Sequence, residues 1–217
     1  MKVGKLKKSI GDTSRIVRYM WYAFGGIVVL VVAAFAMIAW GWIGYMPPIE
    51  DMENPKDKFA SEIYSSDMEV IGRFYQSKSN RVYVHYDEIS PYLVNALIAT
   101  EDIRFKDHSG IDVKALFRAF IKRGLLFQKS AGGGSTITQQ LAKLLYSPNA
   151  DNVMERLFQK PQEWVIAVQL ERFYTKEEIV NMYLNKFDFL FEAVGLQSAA
   201  TIYFGKTPKE LTVEEAA

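Results

Sequence analysis

The chain has 217 residues, with 26 Lys and Arg against 25 Asp and Glu, and it contains no cysteine. This length suits one domain of ordinary size plus an anchor. The near balance of charge argues against a strongly basic nucleic-acid binder, and the lack of cysteine excludes disulfides and Cys-ligated metal sites.

The first informative segment is an uncharged stretch from Tyr22 to Tyr45, YAFGGIVVLVVAAFAMIAWGWIGY. As a helix rising about 1.5 Å per residue, it is long enough to cross a hydrocarbon core of about 30 Å. The flanking charges are Lys2, Lys5, Lys7, Lys8, Asp12, Arg15 and Arg18 before it, and Glu50, Asp51 and Glu53 after it. This bias predicts a cytoplasmic N-terminus and an exported remainder. A cleaved signal peptide is the alternative, but the stretch does not end at a small-x-small site.

The next segment predicts a connection between the anchor and a helical domain. Pro47, Pro48 and Pro55 indicate an extended stalk. ASEIYSSDMEVIGRFY is typical of two short strands around a turn, and NRVYVHYDEI of a third strand. We therefore predict a basic cytoplasmic tail (1–21), a transmembrane helix (22–45), a stalk with a small β element (46–84) and a mainly α domain (85–217).

Local signals place several helix starts in the domain. Ser90 followed by Pro91 predicts a helix through PYLVNALIATEDIRF. Capping boxes are formed by Thr175 with Glu178, Thr207 with Glu210, and Thr212 with Glu215. The last of these begins a helix that the chain end interrupts, which indicates that a longer protein continues beyond it.

Glu101 extends an apolar face of the first predicted helix of the domain. By helical spacing the residues on this face are Leu93, Val94, Leu97 and Glu101. This predicts a carboxylate in the interior or in a cleft, where desolvation disfavours the charged form and helps it to accept a proton as a general base. The alternative is a helix-end acid paired with Arg104 or His108, and spacing alone leaves both open.

A second segment, AGGGSTITQQLAKLLY, places three glycines before hydroxyls, amides and a cation. Its polar residues are Ser135, Thr136, Thr138, Gln139, Gln140 and Lys143. Such a segment at a helix start suits a flexible lip that hydrogen-bonds sugar hydroxyls or a pyrophosphate. Taken alone, a Gly-rich turn before a polar helix is more often structural.

A third segment, MERLFQKPQEWVIAVQLER, places Arg156, Lys160 and Glu163 ahead of an apolar helix. The apolar residues that share the face of Glu163 are Ile166, Ala167 and Leu170. This predicts a partly buried acid with cationic neighbours, and a candidate acid/base pair with Glu101. A solvated, charged first turn is the alternative.

These segments resemble the motifs of glycosyltransferase family 51, the peptidoglycan polymerase domain of class A penicillin-binding proteins and monofunctional transglycosylases. ATEDIRFKDHSGID resembles the EDxxFxxHxG motif, GGSTITQQLAK the second motif and QKPQE the third, which is usually RKxxE. KEEIVNMYLN resembles the fourth motif, and IYFGK with KELTVEEAA the fifth. The resemblance covers about residues 85–217 in family order, and five ordered motifs carry far more weight than any one alone.

The resemblance implies a lysozyme-like, mainly α fold with a cleft between two lobes and a partly membrane-embedded apolar surface. It implies lipid II as substrate, with Glu101 as the base that deprotonates the GlcNAc 4-hydroxyl for an inverting attack that expels undecaprenyl pyrophosphate. Glu163 would be the second acid, and Lys143 and Lys160 would contact the pyrophosphate. The remaining residues of the predicted substrate site are Asp102, Phe105, His108, Ser135, Thr136, Gln139, Gln140 and Arg156.

Two motifs depart from the family pattern. Gln159 stands where the third motif usually has arginine. Arg156 is a candidate replacement, although it lies one residue closer to Glu163 than the family arginine with which it would align. The fourth motif continues as NKFDFLFEAVGLQSAA, with Gln197 where glutamate is common. These changes concern subsites and leave Glu101 in place.

The prediction is therefore a peptidoglycan glycosyltransferase, and two other interpretations stay open. One is a lysozyme-like glycan-cleaving enzyme, which also uses buried carboxylates. The other is a non-catalytic scaffold that binds cell-wall precursors. No SxxK transpeptidase motif is present, so this chain is not expected to be acylated by penicillins.

The resemblance also sets expectations for ligands and location. No cofactor is expected to be required and no metal-ligand spacing is evident, but Mg²⁺ or Mn²⁺ could act through the substrate pyrophosphate. The expected partners are lipid II, the growing glycan chain and the membrane, with other cell-wall synthesis proteins as candidates and no nucleic acid. The catalytic domain is expected on the periplasmic or extracellular side of the cytoplasmic membrane.

Overall fold

The structure is a computed structural model that describes residues 2–44, 46–53, 61–68, 70–74, 82–125, 133–147, 153–191 and 193–217. The chain divides into two compact units, Met1–Met46 and Pro47–Ala217. Regular structure in the described ranges is nearly all helical, apart from one two-stranded sheet and one isolated bridge. The predicted mainly α class is confirmed.

The first unit is one long helix, α1 (Lys2–Ala39). Its part from Ser14 to Ala39 is long and apolar enough to cross a membrane, by length and composition. The helix ends before the predicted limit of the apolar segment at Tyr45, which lies outside the described residues. After Ala39 the backbone turns through Gly41 (φ 72°) and Gly44 (φ 77°), where a left-handed conformation favours glycine.

The second unit begins with a short helix, α2 (Ile49–Glu53), and not with an extended stalk. The Tyr146 hydroxyl donates to the Asp51 carbonyl at 3.0 Å, and the Tyr174 hydroxyl donates to the Met52 carbonyl at 2.7 Å. Met52 is only 1% exposed. The stalk prediction is therefore wrong at α2, which is packed onto the domain; Pro55 lies outside the described residues.

Two of the three predicted strands are present. Strand β1 (Ser61–Tyr64) pairs antiparallel with β2 (Val70–Phe74), and the register shifts between Ile63 and Tyr64. The third strand is wrong within 82–89, where the chain is extended and then forms a 3₁₀ turn, Tyr86–Glu88. The reason is that both backbone groups of Val84 bind the side chain of Asn185, each at 2.9 Å, in place of a strand partner.

The rest of the domain is helical. Its α-helices are α3 (Pro91–Glu101), α4 (Val113–Ala119), α5 (Ile137–Tyr146), α6 (Val153–Phe173), α7 (Lys176–Lys186), α8 (Leu196–Phe204) and α9 (Val213–Ala216). A π-helical turn, Phe120–Leu125, follows α4, and 3₁₀ turns occur at Phe105–Asp107 and Pro208–Glu210. Helix α5 contacts both α6 and α7, and the apolar side chains between them form the core.

The helix-start signals are mostly confirmed. The three predicted capping boxes are present, although the one at Thr207 opens only a 3₁₀ turn. Helix α3 begins at Pro91, but the Ser90 hydroxyl donates to the Leu211 carbonyl at 3.1 Å and does not cap the helix. The same helix was predicted through Phe105 and ends earlier, because Asp102 leaves the helical conformation (φ −156°).

Helix α6 begins earlier than the sequence predicted. It starts at Val153, so Arg156, Lys160 and Glu163 lie inside the helix and not ahead of it. Pro161 also lies within it, although proline lacks the N–H that would bond to the preceding turn. The buried face predicted for Glu163 is confirmed, since its three apolar neighbours on that face are at most 1% exposed.

Gly110 fixes the loop after α3 against α6. Its φ is 86°, and a Cβ atom at this position would lie 2.8 Å from the carbonyl carbon and oxygen of Ala167. Its own carbonyl accepts hydrogen bonds from the Thr136 hydroxyl at 2.7 Å and from the Gln139 side-chain amide at 3.1 Å. This glycine therefore brings the loop, the start of α5 and the middle of α6 into close contact.

We expect Gly110→Ala to lower the free energy of unfolding by more than about 2 kcal/mol, because the added methyl group meets backbone that cannot rotate away. The matched control is Gly205→Ala, where φ is 63° but a Cβ atom would meet nothing within 4 Å. Only the left-handed conformation then opposes the change, at about 1 kcal/mol. Circular-dichroism melting in detergent compares the two variants, and equal losses would contradict the close packing of Gly110.

Candidate active site

A cleft of about 420 Å³ lies between the end of α3, helix α4 and the segment that leads into α5. Its charged and polar lining residues are Thr100, Glu101, Asp102, Arg104, Asp112, Arg118, Ser135, Thr136 and Gln140. The first two predicted motifs therefore face one cavity. Arg118 was not predicted; its only signal is a second cation, after Lys114, on the helix VKALFRA.

Glu101 lies at the mouth of this cleft, as the last residue of α3. The Gln140 side-chain amide donates to its Oε2 atom at 2.8 Å. The cleft location is confirmed, but burial in the interior is wrong, because the helix ends at Glu101 and leaves the side chain exposed. The alternative pairing with Arg104 or His108 is also wrong, since both residues bind other carboxylates.

Asp102 and His108 connect the end of α3 to the start of α5. The His108 Nε2 atom lies 3.0 and 3.1 Å from the two Asp102 carboxylate oxygens, and the Ile137 backbone amide donates to Asp102 at 3.2 Å. A carboxylate at a helix N-terminus is favoured by the helix dipole. Phe105 is buried beside the His108 ring. These contacts accord with a supporting role, and contact of the three residues with substrate stays a prediction.

Asp112 caps α4 and binds Arg104. Its carboxylate accepts from the Ala115 amide at 2.9 Å and lies 2.7 Å from the Arg104 guanidinium. Burial raises the pKa of the Asp112 carboxyl, but the hydrogen bonds from Ala115 and Arg104 outweigh it and hold the pKa below its usual range. The stabilisation is therefore present above the unfolded-state pKa and is lost as the pH falls through the lower folded-state value.

Asp102, His108 and Asp112 each offer a ligand atom within 4.8 Å of the others. Cation-binding sites need oxygen or nitrogen atoms that are free to coordinate. Here the two carboxylates already bind Arg104, His108 and two backbone amides. The protein itself therefore occupies both carboxylates of this donor set.

Glu163 is the centre of a second, buried cluster. Its side chain is 0% exposed and lies 2.6 Å from Arg156 and 2.9 Å from Lys160. The Lys160 ammonium also donates to the Ser135 hydroxyl at 3.1 Å, which links this cluster to the cleft. The predicted acid with cationic neighbours is confirmed, and Glu163 is more deeply buried than expected.

Arg156 pairs with Glu163, as its candidacy to replace the missing arginine of the third motif predicted. Its guanidinium donates to the Glu163 carboxylate and, at 3.2 Å, to the Gln159 side-chain oxygen. Gln159, where the family usually has arginine, is only 6% exposed. The cation therefore reaches Glu163 from an earlier turn of the same helix, and a neutral amide stands at the usual arginine position.

The other residues of the second motif divide into two groups. The side chains of Thr136 and Gln139 are buried and donate to the Gly110 carbonyl, and the Thr136 hydroxyl also accepts from the Gln139 backbone N–H at 3.1 Å. Lys143 is exposed and lies one turn after Gln140 on α5. Thr136 and Gln139 therefore have structural contacts. Binding of substrate by these two residues and by Lys143 stays a prediction. Ala131 and Gly132 lie outside the described residues.

Sequence reasoning missed Tyr183 on α7. Its hydroxyl donates to the side-chain oxygen of Gln140 at 3.0 Å, so it is connected to Glu101 through that amide. Burial, and to a lesser extent the charge of Glu101, raises the pKa of Tyr183 to about 12. The only available signal was its place in the fourth motif, KEEIVNMYLN.

The chain belongs to the transglycosylase family, whose model matches residues 67–217. Penicillin-binding protein 1A of Escherichia coli is 38% identical over 173 residues, covering 79% of this chain and 19% of that protein. Penicillin-binding protein 1A of Aquifex aeolicus is 37% identical over 202 residues, covering 88% and 26%. The biosynthetic peptidoglycan transglycosylase of Nitrosomonas eutropha is 40% identical over 141 residues, covering 65% and 56%. The chain thus spans about a quarter or less of the first two relatives and just over half of the third.

We expect Arg156→Met to destabilise the domain by about 2 kcal/mol, because Glu163 then stays buried with one cation in place of two. Arg156 is itself 33% exposed, so the loss is smaller than for a wholly buried pair. Chemical denaturation measures the effect, with Arg172→Met on the exposed side of α6 as the control.

The double variant Arg156→Met with Glu163→Gln removes the buried charge as well as its partner. It should recover most of the lost stability, since a neutral amide needs less compensation than a carboxylate. If the single and double variants are equally unstable, the ion pair is not the source of the loss.

Proposed function

We propose that this chain is a membrane-anchored peptidoglycan glycosyltransferase, which polymerises lipid II into β-1,4-linked glycan strands. The observation that carries the proposal is the Glu101 carboxylate at the cleft, held by the Gln140 amide and facing the segment that binds Lys160. Family membership and the similarity to the biosynthetic peptidoglycan transglycosylase of Nitrosomonas eutropha support the same activity.

Glu101 has the geometry of a general base. Its Oε2 atom accepts from Gln140, and in the described part of the chain Oε1 has no hydrogen-bond partner. A base must lie within hydrogen-bond reach of the proton that it removes. In the proposed reaction Oε1 takes the proton of the acceptor 4-hydroxyl as that oxygen attacks the anomeric carbon. The bond to the pyrophosphate oxygen breaks, the pyrophosphate leaves with the electron pair, and the configuration is inverted.

The second cluster suits stabilisation of that leaving group. Arg156 and Lys160 carry two positive charges, and Glu163 carries one negative charge between them. One positive charge therefore remains in excess, on side chains whose positions are fixed before substrate binds. Cations fixed near developing negative charge lower the barrier because they need no reorganisation. Ser135 lines the cleft and accepts a hydrogen bond from Lys160, which connects the cluster to the cleft. The exposed Lys143 would add a further cation.

No cofactor is required by this scheme. Mg²⁺ or Mn²⁺ would bind through the oxygens of the substrate pyrophosphate, because the Asp102, His108 and Asp112 group already has protein partners. The pyrophosphate offers the hard oxygen ligands that these cations prefer.

The proposed location follows from α1 and its flanking charges. The part from Ser14 to Ala39 is long enough to anchor the chain. The basic residues before it favour a cytoplasmic N-terminus, with the catalytic domain on the periplasmic or extracellular side. Lipid II, the growing glycan chain and the bilayer would be its partners there, with other cell-wall synthesis proteins as candidates.

We expect Glu101→Gln to abolish polymerisation of labelled lipid II in detergent, with at least about a 100-fold loss of rate, because the amide cannot accept the proton. Its melting temperature should match that of the parent, since the side chain is exposed. The control Glu177→Gln removes an exposed acid on α7 that does not line this cleft and should retain activity.

The products separate the proposal from its alternatives. Long strands that lysozyme degrades, made by the parent and not by Glu101→Gln, are the expected result. Degradation of purified peptidoglycan in the absence of lipid II would instead support a glycan-cleaving enzyme. Tight lipid II binding without turnover by a folded parent would support a precursor-binding scaffold.

A further inference from the structure

We propose that Tyr183 is a positioning residue, which fixes the orientation of the Glu101 carboxylate through the side-chain amide of Gln140. The proposal deepens the proposed function and rests on it, since it concerns how the base is held. It rests on contacts of three side chains from three helices: Glu101 of α3, Gln140 of α5 and Tyr183 of α7.

These three side chains form a continuous chain of hydrogen bonds. The Tyr183 hydroxyl donates to the Gln140 Oε1 atom at 3.0 Å. The Gln140 Nε2 atom donates to the Glu101 Oε2 atom at 2.8 Å. Both distances are normal for hydrogen bonds. The phenol O–H and the amide N–H are the donors, and the amide carbonyl and the carboxylate are the acceptors.

The phenol determines which way the amide points. An amide has an acceptor on one side and donors on the other, with nearly the same shape in both orientations. With its pKa raised to about 12, Tyr183 keeps its proton at any working pH and acts as the donor. The Gln140 carbonyl therefore faces Tyr183, and the NH₂ group faces Glu101. The reverse orientation would place the amide carbonyl against the carboxylate, which are two acceptors.

Burial decreases along this series of hydrogen-bonded side chains, from the core to the cleft. Tyr183 is buried, and its ring packs against Phe187 with the ring centroids 5.2 Å apart. Gln140 is half-buried, and Glu101 is exposed. An exposed carboxylate at a helix end has freedom to rotate, so a restraint from a buried residue would limit its orientations. The bond to Oε2 then leaves Oε1 for the acceptor hydroxyl.

The hydrogen bond from Gln140 to Glu101 depends on the orientation of the amide. Removing the Tyr183 hydroxyl frees the amide to rotate and weakens that bond. The charged neighbours of Glu101 that line the cleft keep their own contacts, because Asp102 is paired with His108 and Arg104 with Asp112. The change would therefore act on Glu101 through the amide alone.

The first test is Tyr183→Phe in the full chain, with kcat and KM for lipid II polymerisation measured separately. We expect kcat to fall about fivefold with KM unchanged, because the carboxylate loses its orientation and the contacts that bind substrate remain. The control Tyr203→Phe removes a hydroxyl that donates to the carbonyls of Phe189 and Leu190, and should keep both parent constants. An unchanged kcat, or a rise in KM alone, would overturn the proposal and leave Tyr183 a packing role.

The second test asks whether Tyr183 acts through Gln140. Gln140→Met removes the amide, so Tyr183→Phe should cause no further loss of kcat in that background. Losses that simply multiply in the double variant would also overturn the proposal, since they would show that the two residues act independently.

A measurement without substrate separates this proposal from the proposed function. Nitrogen-15 NMR of labelled glutamine side chains follows the Gln140 NH₂ group, which Gln140→Met assigns by the loss of its signal. A changed chemical shift of this group in Tyr183→Phe supports the series of hydrogen bonds even if the parent makes no glycan, in which case only the proposed function fails. An unchanged shift rules out the series of hydrogen bonds even if the parent is active.

Discussion

The start of helix α5 is the point on which the rest of the domain depends. Its first amide binds Asp102, which also binds His108. The adjacent Thr136 and Gln139 bind the carbonyl of Gly110, a residue that lies too close to α6 to carry a side chain. The contacts made by the α5 residues themselves are buried, where an unsatisfied polar group is costly, so they fix the helix against two other segments.

Because of these contacts, α5 can present different chemistry at its two sides. Ser135, just before the helix, meets Lys160 and so connects the cleft to the buried Glu163 cluster. Gln140, on the first turn of the helix, meets Glu101 and Tyr183. A carboxylate and a group of fixed cations are thus held by one rigid element. This arrangement suits a reaction that removes a proton at one end and develops negative charge at the other.

Features that depend on nearby residues could be predicted from the sequence. The capping box of Thr175 with Glu178 spans one helical turn, and the buried face of Glu163 follows from helical spacing alone. The third strand failed because the backbone of Val84 binds Asn185, which is distant in the sequence. Glu101 was placed on the correct face, but its exposure depends on where α3 ends, which periodicity does not define. Tyr183 could not be assigned because its role is defined by a partner on another helix.

The Glu163 cluster has a consequence for how the protein responds to ionic strength. Mobile ions screen exposed charges over about 10 Å at 0.1 M salt, but they act much less on groups that water does not reach. Glu163 is inaccessible to solvent, and it holds Arg156 and Lys160, whereas Lys143 lies in solvent. Attraction of an anionic ligand would therefore have two components. One is set by the exposed Lys143 and weakens most as salt rises; the other is set by Arg156 and Lys160, which are 33% and 32% exposed, and weakens less.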